Sequence, residues 1–132
     1  MSIPLLCVAL LAFLCSGLGF AVSSARAKTE VLYSSAVDPE DSLYQVLRAH
    51  GNTIEYAPIL ALLIFILGQS DQPTWVIWSM MLATFFRYLF VAGIILPATL
   101  AKPNPMRFIG ALGTYATGFT LSAALLIQAL NF

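Results

Sequence analysis

The sequence predicts an all-α integral membrane protein: a four-helix bundle in one domain over residues 1–132, with both termini on the non-cytoplasmic side. Three observations carry that expectation. The 132 residues are 60% hydrophobic and only 9% charged, against about 25% charged in an ordinary soluble domain, and the mean hydropathy is +0.89. Four stretches are long enough to cross a bilayer, which takes about 20 mainly apolar residues. Apart from one arginine within the third span, Lys and Arg gather at the two long connections: Arg26, Lys28 and Arg48 around the first, Lys102 and Arg107 around the second. Basic residues gather on the cytoplasmic side, so both connections are expected there. The helices are expected over roughly 3–26, 39–68, 74–97 and 105–131.

Helix one opens with Ile3 to Val22, 20 residues without a charge. That run exceeds an ordinary signal-peptide core, and no cation precedes it, so it reads as a retained span. Cys7 and Cys15 both fall within it, without metal or redox spacing, and read as small buried hydrophobes. No metal site is expected. Helix two has a start signal in Asp38-Pro39-Glu40-Asp41: a cap, a proline at the first helical position and acids in the first turn. Running to Gly68, it would be about 45 Å long at about 1.5 Å per residue. Its first turns would then project into the cytoplasm, and Pro58 would kink it. Helix three begins at Trp75 and Trp78, aromatics suited to the far interface. It contains Arg87, with 15 uncharged residues before it and 14 after. Helix four is capped by Asn104-Pro105. It carries Gly110, Thr114, Gly118 and Ser122 at four-residue spacing, a small-residue stripe suited to close packing within a subunit or between subunits.

The zero net charge and the absence of a basic run argue against nucleic acid as a partner. What stands out is Arg48-Ala-His50-Gly-Asn52-Thr-Ile-Glu55-Tyr56 at the mouth of helix two. Arg48, Asn52 and Glu55 at i, i+4 and i+7 share one helical face. Arg48 and Glu55 are too far apart to pair along the helix, where pairs form at three or four residues. Charge at membrane depth is costly and marks function by default. Arg26, Arg48, Arg87 and Arg107 confront one embedded acid, Glu55, and buried unpaired charge costs several kcal/mol. An anionic or zwitterionic guest would resolve the surplus: guanidinium groups for its carboxylates, Glu55 for an ammonium, Asn52 for a carboxylate or amide. His50 lies off this face. The bland readings are that Arg26 only signals topology and Arg107 only flanks a helix.

The run Arg48-x-His50-Gly51-Asn52-x-x-Glu55-Tyr56-x-Pro58-Ile59 resembles the signature of the MAPEG family, the membrane-associated proteins in eicosanoid and glutathione metabolism, and is closest to its bacterial members. The resemblance extends to chain length, four helices, an arginine within helix three and the Val22-Ser-Ser-Ala-Arg26 end of helix one. It implies a homotrimer in a bacterial inner membrane, with glutathione as co-substrate bound between neighbours near the cytoplasmic face, and a lipophilic small-molecule substrate arriving from the lipid. Arg48, Asn52, Glu55 and Tyr56 would hold the peptide, with His50 and Arg87 in contact with it. Arg107 would stabilise the thiolate, with Arg26 second and near a carboxylate. A thiol of pKa about 8.5 is mostly protonated at neutral pH. One guanidinium about 4 Å away supplies about 4 kcal/mol at an effective dielectric of about 20, enough to lower that pKa usefully. The chain departs from the family pattern at Phe90 and Ile94, where members commonly carry hydrogen-bonding side chains three and seven residues after the helix-three arginine. The implied function is a glutathione-dependent transferase or peroxidase. The alternative is a trimeric membrane module without turnover. A small multidrug carrier is disfavoured because helix one carries no acid.

Overall fold

A computed structural model describes residues 1–33 and 37–131; Phe132, the last residue of the uncharged run in helix four, lies outside them. The described residues form four α-helices: α1 (Ile3–Thr29), α2 (Ser42–Leu67), α3 (Thr74–Ile95) and α4 (Pro105–Leu130). All four are long and apolar enough to cross a membrane. α2 and α3 form the centre of the bundle, α1 packs on both, and α4 packs on α3 and α2. Large side chains such as Phe13, Phe20, Phe65, Trp78, Phe85 and Phe119 stand on the outside, as lipid-facing residues do, since lipid tails leave no penalty on exposed hydrocarbon.

The helix ends are fixed by local chemistry. Ser2 caps α1, its Oγ accepting from the Leu5 N–H at 3.4 Å, with Pro4 in the first turn. α2 starts three residues later than the sequence expectation at Pro39. Its cap is Asp41, which accepts from the Leu43 N–H at 3.1 Å. Asp38 instead closes a turn, accepting from the Glu40 N–H at 3.0 Å through its side chain and from the Asp41 N–H at 3.1 Å through its carbonyl. The expected cap thus closes the turn, and the residue expected in the first helical turn is the cap. Asn104 caps α4 by accepting from the Arg107 N–H at 3.2 Å.

The two long connections share one end of the bundle and are tied together. The Leu100 N–H donates to the Pro39 carbonyl at 2.8 Å, and buried Gln45 donates from Nε2 to Pro39 and Pro97 carbonyls at 3.4 and 3.1 Å. At the opposite end Gln72 Nε2 donates to the Leu67 carbonyl at 2.8 Å and to Gln128 Oε1 at 3.3 Å, closing the short turn against the end of α4.

α3 and α4 approach most closely. A Cβ on Gly93 would meet the Arg107 backbone, and one on Gly110 would lie 2.5 Å from the Phe90 nitrogen. The buried stripe of α4 is Gly110, Gly113, Thr114, Thr117, Leu121 and Ala124. It therefore takes two members of the anticipated four-residue stripe, Gly110 and Thr114, into the subunit. Gly118 and Ser122 line the α2/α4 groove instead. Hydroxyls at bilayer depth need internal partners, and they find them one turn back: Ser79, Thr84, Thr114 and Thr117 donate to the carbonyls of Trp75, Met80, Gly110 and Gly113.

The apolar core comes in two pieces. One, toward the short turn, is built on Leu11, Ala57, Leu60, Ile64, Met80, Ala83 and Leu121. The other, toward the long connections, is built on Leu14, Leu18, Ala49, Phe90, Val91 and Ile94. Between them in sequence on α2, α3 and α4 fall Thr53, Arg87 and Thr114, all buried. They form a polar layer between the two apolar pieces, around the one buried charge among the described residues.

Candidate functional site

Arg87 is the largest fully buried side chain, 1% exposed. Its Nη2 donates to Asn52 Oδ1 at 2.8 Å and Thr53 Oγ1 at 3.2 Å, and its Nη1 to Thr114 Oγ1 at 3.5 Å. The guanidinium carbon also lies 5.5 Å from the Tyr56 ring centre and 4.9 Å from that of Phe90, a cation–π arrangement on two sides. Among the described residues its Nε has no partner. The hydrogen-bonded partners are all neutral, so dipoles and ring quadrupoles, not a carboxylate, hold this charge. A guanidinium tolerates that better than an ammonium because it is more weakly hydrated.

This changes the sequence picture of the anion-seeking arginines. Asn52, expected to face a guest, spends its carbonyl oxygen on Arg87. That leaves its two amide protons and one oxygen lone pair for anything else. Glu55, the expected counter-charge, is exposed on α2 and takes no part in the Arg87 bonds. The Arg107 guanidinium donates to the Leu100 and Lys102 carbonyls at 3.3 and 3.1 Å. Arg26 donates to the Val31 carbonyl at 2.9 Å, just past the end of α1. Part of the cationic surplus is thus absorbed by neutral oxygens, which weakens the argument that only a charged guest could satisfy it. An arginine has five N–H donors, so Arg107 keeps donors to offer.

Three adjoining spaces lie along the half of α4 nearer the long connections and its middle. A space of about 520 Å³ near the long connections is lined by Arg107, Lys102, Asn104, Phe108, Phe90 and Ala111, among others. A space of about 40 Å³ beside Arg87 shares Phe90 and Ala111 with it and adds Asn52, Tyr56, Thr114 and Tyr115. A groove of about 230 Å³ between α2 and α4 continues from Glu55, Tyr56, Thr114 and Tyr115 to apolar Ile59, Leu63 and Phe119. Polar chemistry at one end therefore grades into hydrocarbon at the other. Arg26 and Arg48 line none of these three spaces, and Arg87 and Arg107 line different ones. Arg48 is exposed on α2, and His50 turns its Nε2 toward Gly19 of α1, off the Arg48–Glu55 face as its place on the helical wheel requires.

All these groups sit in the half of the bundle nearer the long connections. At about 1.5 Å per residue, Asn52 lies about 15 Å into α2, Arg87 about 12 Å from the end of α3, and Tyr115 about 15 Å into α4. Tyr115 was not singled out from the sequence. Its neighbours three and four residues away, Ala111, Leu112, Gly118 and Phe119, carry no polar side chain, so only the folded chain reveals its partner. Its hydroxyl lies 3.4 Å from that of Tyr56, with the rings edge to face at 5.7 Å. Tyr88, by contrast, points to α1 and donates to the Leu10 carbonyl at 2.7 Å.

Residues 4–127 match the model of the MAPEG family. No curated protein matches the chain at a significant level.

Proposed function

The chain belongs to the MAPEG family, and on that premise we propose that it is a membrane-bound glutathione-dependent transferase or peroxidase acting on lipophilic electrophiles. The observation that carries the reading is the graded site at bilayer depth. A buried Arg87 and a tyrosine pair open into a groove that becomes apolar, while Arg48 and Glu55 offer a cation and an anion on the exposed side of the same helix. A zwitterionic thiol peptide has the matching groups: carboxylates for guanidinium, an ammonium for Glu55. A lipophilic partner reaches the groove from the bilayer without crossing water.

In this reading the working protein is a homotrimer in which a neighbour covers the Arg48–Glu55 face, with the termini outside the cytoplasm and a bacterial inner membrane as its location. Arg48, Asn52, Glu55, Tyr56 and His50 bind glutathione. Arg87 does so indirectly, by fixing Asn52 and Tyr56. Arg107 stabilises the thiolate with the donors its carbonyl bonds leave free, and Arg26 is second. The deciding experiment is glutathione conjugation of a generic aryl halide by the purified protein. Turnover is expected, with glutathione KM raised about tenfold or more in Arg48→Ala and Glu55→Ala, the loss of one charge-assisted contact worth about 1.5–3 kcal/mol. No turnover and no glutathione binding would overturn the proposal.

Arg107→Ala is expected to keep glutathione binding and lose about 100-fold or more in kcat, the scale seen when one preorganised donor to a developing anion is removed. Full activity in that variant would reassign the thiolate to another group. A second reading, a trimeric module without turnover, draws on Phe90, whose ring stands over Arg87 where it can donate no hydrogen bond. Binding of glutathione without conjugation or peroxidase activity would favour it.

A further inference from the structure

Around Arg87 the hydroxyl groups are supplied by α2 and α4. Thr53 Oγ1 accepts from the guanidinium. Thr114 Oγ1 accepts from it too, and spends its proton on the Gly110 carbonyl. The α3 wall on the same side is hydrocarbon, with Phe90 stacked on the guanidinium and Ile94 buried. That leaves Tyr56 and Tyr115, whose hydroxyls pair at 3.4 Å.

Two phenols carry two protons. The bond between them uses one, so the pair presents one O–H with nothing inside the cluster to receive it. The residue pair lines both the small space beside Arg87 and the head of the α2/α4 groove, and Tyr115 is 49% exposed. The spare donor therefore belongs to residues that line the place where a guest would lie, with the buried Arg87 guanidinium 5.5 Å from the Tyr56 ring centre. A donor beside a cation suits an acceptor that is anionic or becomes so.

We propose that Tyr115 is a positioning residue for the thiol co-substrate: its hydroxyl orients that of Tyr56 at the head of the α2/α4 groove, so that the pair donates one hydrogen bond to the bound peptide. This rests on the glutathione reading above. Tyr115 contributes through Tyr56, and the Arg87 guanidinium under the Tyr56 ring holds the other side of that ring in place. The arrangement belongs to this chain's own α4 and compensates for the apolar α3 wall.

The test is Tyr115→Phe in the full-length protein in detergent micelles, with Tyr56→Phe and the double variant beside it. Phenylalanine keeps the edge-to-face ring contact and removes only the oxygen. Glutathione KM is expected to rise about tenfold in Tyr115→Phe, with kcat at saturating glutathione within about threefold of wild type and an unchanged melting temperature. The double variant is expected to be no worse than Tyr56→Phe alone, because the two hydroxyls act as one unit. Wild-type KM in Tyr115→Phe, or a double variant whose defect is the product of the singles, overturns the inference while leaving glutathione use intact. Absence of glutathione binding to the wild-type protein overturns both. If Tyr115→Phe does not fold, the infrared difference spectrum of the wild-type protein on glutathione addition decides: a shifted tyrosine C–O band supports the pair as donor, and an unshifted one rejects it.

Discussion

Arg87→Ala is expected to lower the stability of the folded protein in detergent by about 3 kcal/mol, the largest loss from any single polar substitution. Three hydrogen bonds converge on this side chain from α2 and α4. Interhelical hydrogen bonds in membrane proteins average about 0.6 kcal/mol, so these give about 2 kcal/mol together. Truncating a large, fully buried side chain leaves a cavity, which in cores costs about 2 kcal/mol or more. Relief of the guanidinium's desolvation works the other way and returns part of the sum. Arg87→Met preserves much of the volume and removes the charge, so it is expected to fall between wild type and Arg87→Ala. Arg87→Lys cannot reproduce a planar fork reaching three acceptors on two helices, and is expected to resemble Met more than Arg. Thermal unfolding followed by circular dichroism reads the order directly. Equal melting temperatures for wild type and Arg87→Ala would mean that the polar layer is not structural, and its retention would then have to rest on the guest alone.

Gly110→Val is the second large effect. The added side chain would be driven into the Phe90 backbone, with a Cβ 2.5 Å from its nitrogen and 2.6 Å from its Cα. A flexible side chain could swing aside, but a helix backbone cannot, so α3 and α4 must separate. Overpacking costs about 1–3 kcal/mol where neighbours can adjust. Here the expectation is the upper end of that range or beyond, seen as a loss of folded protein on size-exclusion chromatography or a melting point several degrees lower. Separation would also stretch the Arg87–Thr114 bond, already 3.5 Å, so glutathione-dependent activity should fall with stability. Gly51→Ala is the control. A Cβ there meets nothing within 4 Å, and alanine in a helix interior gains about 0.5–1 kcal/mol over glycine. If the two variants melt alike, close α3–α4 packing is not what sets stability.

The four spans could be read in the sequence because hydrocarbon length is a one-dimensional property: a run of apolar residues either matches the bilayer or does not. Even so, the start of α2 moved from Pro39 to Ser42, because Asp41, read from the sequence as an acid of the first turn, is the cap, and Asp38 closes a turn before it. The burial of Arg87 was signalled by uncharged runs on both sides. Its partners were not, since Asn52 and Thr53 lie 35 and 34 residues away and Thr114 lies 27 away. Helical periodicity places a residue on a face without saying which helix that face meets.

By itself, then, the chain determined its class, its spans, its family and the face shared by Arg48, Asn52 and Glu55, all matters of composition, length and spacing along one helix. Only the tertiary structure decided that Asn52 serves Arg87 rather than standing free, that Arg107 and Arg26 lean on backbone carbonyls, and that Tyr115 meets Tyr56. The physical reason is that a buried donor takes whichever acceptor the packing brings within about 3 Å. In this bundle the packing of α2 against α3 brings Asn52 to Arg87, and the packing of α2 against α4 brings Tyr56 to Tyr115.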